Sequence, residues 1–135
     1  MKIKKIAIAV LAVALAFSVV GCKKSGDAGN KAKKSYVDGI KVGFVYIGSI
    51  NDHGYTEAQD KSRLALEEMN IETLYKENVP ENSDCEKAIR DLIDAGCNVI
   101  YTTSFGFMDS TINVAKEFPE IKFGHCSGFK TAENV

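Results

Sequence analysis

Asp52 and His53 put a carboxyl group beside an imidazole, in a stretch (Gly48, Ser49, Asn51, Asp52, His53, Gly54, Tyr55) otherwise made of turn formers and one aromatic. Such a pair could move protons, but no second carboxylate of a catalytic pair, nucleophile elbow or metal-ligand spacing accompanies it. No catalytic residue, metal or cofactor is therefore expected. As binding groups the two make better sense, because a carboxylate accepts from ribose hydroxyls or base amino groups and His53 donates or accepts according to its tautomer. The plain alternative is that they only cap the loop.

A second cluster, Ser104, Phe105, Gly106, Phe107 and Met108, joins a hydroxyl to aromatic and thioether side chains. Tyr55, Phe105 and Met108 offer flat or soft apolar surface to a planar ring, while Gly48 and Gly106 let backbone approach a ligand. Phe107 is expected to be core. Tyr55 has a plain alternative as a hydrophobic staple on the following helix. His125 and Cys126 are adjacent on a strand, so they face opposite sides and do not jointly bind one metal.

Positioning these loops falls to strands alternating with helices. Residues 41–47 (KVGFVYI) form a short apolar run entering the first loop, which reads as a strand. Thr56 and Gln59 have capping-box spacing, and a helix to about Met69 would face the core with Ala58, Leu64, Ala65 and Met69. Residues 71–75 suggest a second strand. Ser83 and Glu86 form another capping box, opening a helix with the stripe Ala88, Ile89, Leu92, Ile93 and Ala95, closed by Gly96. Residues 98–103 (NVIYTT) give a third strand. Asp109 is the expected N-cap of a third helix carrying Ile112, Val114, Ala115 and Phe118, and residues 121–125 form a fourth strand. The alternation implies a Rossmann-like α/β lobe: a parallel sheet in order 2-1-3-4 with helices on both faces. Ligands of such sheets bind beyond the carboxyl ends of the strands, where the order reverses, here between strands one and three.

The chain has 17 basic and 18 acidic residues, but the balance is uneven along it. From Gly39 onward nine basic residues face sixteen acidic ones, a net of −7. That acidic part has no electrostatic footprint for phosphate backbones, so no nucleic-acid partner is expected and a small molecule is. Cys85, Cys97 and Cys126 match no CxxC or zinc spacing and are expected as buried free thiols.

The N-terminus has its own pattern. Lys2, Lys4 and Lys5 precede an apolar run from Ile6 to Val20 that is shorter than the about 20 residues a spanning helix needs, the layout of a cleaved leader. Val19, Val20, Gly21 and Cys22 resemble the lipobox of bacterial lipoproteins, in which the cysteine is acylated; several acyl chains give stable anchoring where one does not. The expected organisation is a lipoprotein signal peptide at residues 1–21, a flexible Lys- and Ser-bearing tether at 22–38, and a partial N-terminal lobe at 39–135. The location would be the extracytoplasmic face of the cell membrane.

The stretches GFVYIGSINDHGYTEAQDKSRLALEE and TTSFGFMDSTINVAKEFP resemble the basic membrane lipoprotein family and its PnrA-like substrate-binding proteins, over residues 41–135. That resemblance implies a non-enzymatic, two-lobed type I periplasmic binding fold that closes on a purine nucleoside or related base and delivers it to an ABC permease. Family pocket positions fall on Gly48, on Asn51 to Tyr55 and on the Ser104, Phe105, Gly106 turn. Where members often carry Gly-Gly-Trp, this chain has His53, Gly54 and Tyr55, a smaller ring that still stacks. Members run more than twice as far, so a chain ending at Val135 is read as a fragment lacking half the pocket, with weak binding expected of it alone. The alternatives are a sugar-binding or sensory lipoprotein of similar fold, discriminated by ligand identity, and a remnant without function. A receiver- or flavodoxin-like enzyme is disfavoured, because Thr103 and Ser104 stand where a receiver needs its acceptor Asp and no GxxxxGK loop is present.

Overall fold

The computed structural model describes residues 37–135. The leader, the lipobox with Cys22 and the tether as far as Tyr36 lie outside the described residues. Among the described residues the elements are β1 (Lys41–Tyr46), α1 (Tyr55–Glu68), β2 (Glu72–Lys76), α2 (Ser83–Asp94), β3 (Val99–Thr103), a 3-10 turn (Phe105–Phe107), α3 (Met108–Glu117) and β4 (Lys122–His125). All pairings are parallel and the sheet order is β2-β1-β3-β4, as the alternation of strand and helix patterns requires.

β1 is buried from Val42 to Tyr46 because it is paired on both edges and covered on both faces, which is why its sequence is a continuous apolar run. Alternation along the strand sends its side chains to two cores. Val45 joins Ile89 and Leu92 of α2, Ile100 of β3, Phe107 of the 3-10 turn, and Val114 and Ala115 of α3. Ile89, Leu92 and Ile100 are fully buried, each contributing about 1.5–3 kcal/mol of transfer free energy. Val42, Phe44 and Tyr46 face the other way and pack with Ile71 and, through Leu66, with α1. On that face Tyr101 lies stacked on Phe44, with ring centroids 5.8 Å apart, yet stays half-exposed.

The helices correct several expectations. α1 turns its expected apolar set outward: Ala58, Leu64, Ala65 and Met69 are exposed, and Thr56, Asp60 and Arg63 are buried. The reason is Tyr46, which brings a hydroxyl into the interior and donates to Asp60 Oδ1 at 3.1 Å, while Asp60 also pairs with Arg63. The capping boxes fail as well. Asp52, not Thr56, caps α1, and Asn82, not Ser83, caps α2 by accepting from the Asp84 amide at 2.7 Å. At the other end of α2, Ala95 is exposed, and Gly96 closes the helix with φ +91°, a conformation that strains any side-chain-bearing residue. α3 starts at Met108, one residue before the expected cap, so Asp109 sits in its first turn. Cys85 and Cys97 are buried free thiols, but Cys126 is only half-buried, with its thiol 3.7 Å from Gln59 Oε1. Burial pushes the Cys85 thiol up to about 12.

Candidate functional site

Parallel pairing puts the carboxyl ends of all four strands on one edge, so the connections leaving them share a rim. β1 and β3 are neighbours, with Tyr46 opposite Thr103, and the loops that follow them start side by side. The sequence expected a rim there with exposed rings from both. Tyr55 is 43% exposed and Phe105 57%, so neither is sealed in the core.

In the first loop, Asp52 is committed to the backbone. Its carboxylate accepts from the amides of Gly54 at 2.8 Å, Thr56 at 2.9 Å and Glu57 at 3.0 Å, satisfying otherwise orphaned donors at the start of α1. Those donors, the Glu57 amide foremost, lower its carboxyl from the ordinary 3.8 to about 2. Asp52 is thus charged at neutral pH, and both its oxygens are occupied. His53, with φ 52°, points into solvent with Nδ1 3.1 Å from Glu57 Oε2. Asn51 is exposed, and Gly48 lies so close to Thr56 that an added Cβ would sit 2.8 Å from its hydroxyl. Tyr55 opens α1.

In the second loop, Ser104 is buried and its hydroxyl donates to Glu81. The Gly106 amide donates to the same carboxylate at 3.1 Å. Phe107 is fully buried, as expected. Met108, expected on the ligand surface, is buried at 6% exposure, and its sulfur accepts from the amides of Phe129 at 3.3 Å and Lys130 at 3.4 Å. It supports the fourth loop from below.

Two residues were not named as site residues from the sequence, although the loop after the fourth strand, Cys126 to Lys130, was expected on this edge. Phe129, beyond β4, is 73% exposed, and its ring centroid lies 6.4 Å from that of Phe105 at 42°, a tilted pair that leaves much of both rings open. Glu81, in the connection after β2, holds the Ser104 to Gly106 turn. Both lie on the same edge of the sheet as the recognised loops, and that placement was the available signal. Among the described residues no group of three or more His, Cys, Asp or Glu side chains could hold a metal ion, and no helix is long and apolar enough to cross a membrane. The rim thus combines three exposed rings with loops in which Asp52, Ser104 and the Gly106 amide are already hydrogen-bonded within the fold.

Residues 39–135 match the family model for the PnrA-like ABC transporter substrate-binding protein. A purine-binding protein of Brucella abortus is 48% identical over 99 residues, 71% of this chain and 28% of that protein. A putative ABC transporter glucose-binding protein of Haloferax volcanii is 35% identical over 98 residues, 71% of this chain and 25% of that protein. The chain therefore spans about a quarter of the length of these relatives. Among solved structures, an ABC transporter solute-binding protein from Conexibacter woesei superimposes with a TM-score of 0.58 at 19% identity, over 62% of this chain and 28% of that one, a likeness of fold. With its sheet order, its rim and these matches taken together, the chain belongs to the PnrA-like family of ABC transporter substrate-binding proteins.

Proposed function

We propose that the protein is a lipid-anchored binding protein, acylated at Cys22, that captures a purine nucleoside or related base and passes it to an ABC permease. In this reading residues 1–21 are the leader, 22–38 the tether and 39–135 part of the first of two lobes. The single observation carrying the ligand class is the exposed tilted pair of Phe105 and Phe129 at the sheet's carboxyl edge, in a chain 48% identical to a purine-binding protein. Flat apolar faces at a rim suit a planar base, for which stacking contributes about 1–3 kcal/mol per ring. The acidic balance of the folded part favours an uncharged nucleoside over a phosphorylated one.

The site residues in this proposal are Tyr55, Phe105 and Phe129 as stacking faces and the exposed Asn51 and His53 as donors or acceptors; Gly48 and Gly106 let their loops pack closely, Gly48 on Thr56 and Gly106 on Glu81. Asp52, Ser104 and Met108 act behind them, holding the loops. No reaction is assigned.

A second reading, sugar capture, is favoured by the 35% identity to a putative glucose-binding protein. Thermal melting of the full-length protein with adenosine and with D-glucose separates the two. Adenosine at about 100 times its Kd should stabilise by about 2.7 kcal/mol, and Phe105→Ala should cut that rise by about 1–2 kcal/mol. A rise with glucose and none with adenosine transfers the assignment to the sugar reading.

A further inference from the structure

The connection after β2, residues 77–82, touches both site loops. Glu77 Oε2 accepts from the Ile50 amide at 2.8 Å, and the amides of Asn78 and Val79 donate to the carbonyls of Gly48 at 3.1 Å and Tyr46 at 3.0 Å. At its far end Glu81 Oε1 accepts from the Ser104 hydroxyl and the Gly106 amide, the residues on either side of Phe105. We infer that Glu81 is a positioning residue for the Phe105 ring, its carboxylate fixing the backbone on both flanks so that the ring faces the rim.

Three observations converge on this. The serine and amide that Glu81 engages are two residues apart, so one oxygen restrains the peptide units that carry Phe105. Ser104 is buried, which makes its hydroxyl costly to leave without a partner. Finally, a Cβ on Gly106 would overlap the Glu81 carboxyl group, so glycine at 106 is what lets the carboxylate reach the backbone. The overlapping group is the end of a flexible side chain, so Gly106→Ala should displace the carboxylate and leave the fold in place.

The consequence for ligand affinity rests on the nucleoside reading, while the restraint itself does not. Two measurements on the full-length protein keep them apart. Amide hydrogen exchange at Gly106 should quicken by about tenfold or more in Glu81→Ala and in Gly106→Ala's neighbouring amides, with Glu81→Gln, which keeps one acceptor oxygen, in between. Unchanged exchange at Gly106 in Glu81→Ala overturns the restraint. Adenosine calorimetry should show affinity falling about tenfold in Glu81→Ala, about 1.4 kcal/mol. In a Phe105→Leu background the same substitution should cost nothing further, and Gly106→Ala should cost nothing further in Glu81→Ala. Equal losses with and without the ring mean that Glu81 acts other than through Phe105. If the unsubstituted protein binds no adenosine, the nucleoside reading falls and Gly106 exchange still decides the restraint.

Discussion

Removing the Asp60 carboxylate should destabilise the folded lobe far more than a typical helix-surface substitution. Asp60 and Arg63 are 6% and 7% exposed, and they form a two-point contact, Nε to Oδ1 at 2.5 Å and Nη2 to Oδ2 at 3.1 Å. Tyr46, fully buried, adds a third donor to the same carboxylate. Burial first, and the adjacent Asp60 charge second, raise the Tyr46 hydroxyl above its ordinary pKa, so it stays a donor at any working pH. Asp60→Ala therefore leaves a buried guanidinium and a buried hydroxyl short of a partner. Breaking a buried pair from one side costs about 3–5 kcal/mol, and an orphaned hydroxyl about 1–3 kcal/mol, with the two overlapping. Arg63 keeps three other contacts: Glu67, at 2.7 Å but half-exposed, the Thr73 hydroxyl at 3.4 Å, and the face of Tyr75, 4.7 Å from its centroid. Those hold the total near the low end, about 3 kcal/mol.

A domain of this size has about 5–15 kcal/mol to lose, so urea denaturation should show a clear fall in the midpoint at unchanged slope. The companion variant Asp60→Leu with Arg63→Met removes both charges and should recover part of the loss, because no ion is left buried alone while the Tyr46 hydroxyl still lacks its acceptor. A cost below about 1 kcal/mol for Asp60→Ala, or a double variant worse than the single, would refute the argument that α1 docks through this polar cluster.

Two further predictions concern the ends of the chain's machinery. The Asp52 carboxyl is held at about 2 in the fold against 3.8 when free, so its stabilisation is complete above pH 3.8 and is lost as the pH falls toward 2; Asp52→Asn should flatten the melting temperature over that window relative to the unsubstituted protein, and parallel curves would count against the cap. Cys22→Ala should move the protein from the membrane fraction to the soluble extracytoplasmic fraction of cells and abolish labelling by a radioactive fatty acid, whereas retention in membranes would remove the lipid anchor from the proposal.

How much of this was legible in the sequence depended on which physical signal each element carried. The two central strands were plain, because strands paired on both edges draw on apolar, β-branched and aromatic residues, and KVGFVY and VIYTT are rich in them. The stripe of α2 was plain for the same reason, with Ala88, Ile89 and Leu92 all buried. α1 was not. Its apolar residues other than Leu66 face outward, and its inner face carries a charged pair bound to a tyrosine on β1, a partner that periodicity within the helix does not reveal. Capping was misplaced because the competing carboxylate and amide lie before the helices, Asp52 within reach of three amides at once and Asn82 within reach of the Asp84 amide. Glu81 was hidden for a similar reason: its partners lie more than twenty residues away in the chain and are joined to it only by the sheet order.

The same comparison changes what the rim offers a ligand. Asp52, Ser104 and the Gly106 amide look, as residue types, like the hydrogen-bonding half of a binding site, but each is engaged in holding a loop. Tyr55, Phe105 and Phe129 are left with open faces. Stacking tolerates any planar base, because every base has a π-face, whereas discrimination comes from polar groups that a wrong ligand leaves unpaired. A rim built in this way contributes affinity more than selectivity, so substitutions at its rings should weaken purine ligands nearly uniformly. Choice among purines would then rest on groups that reach the base from outside these loops.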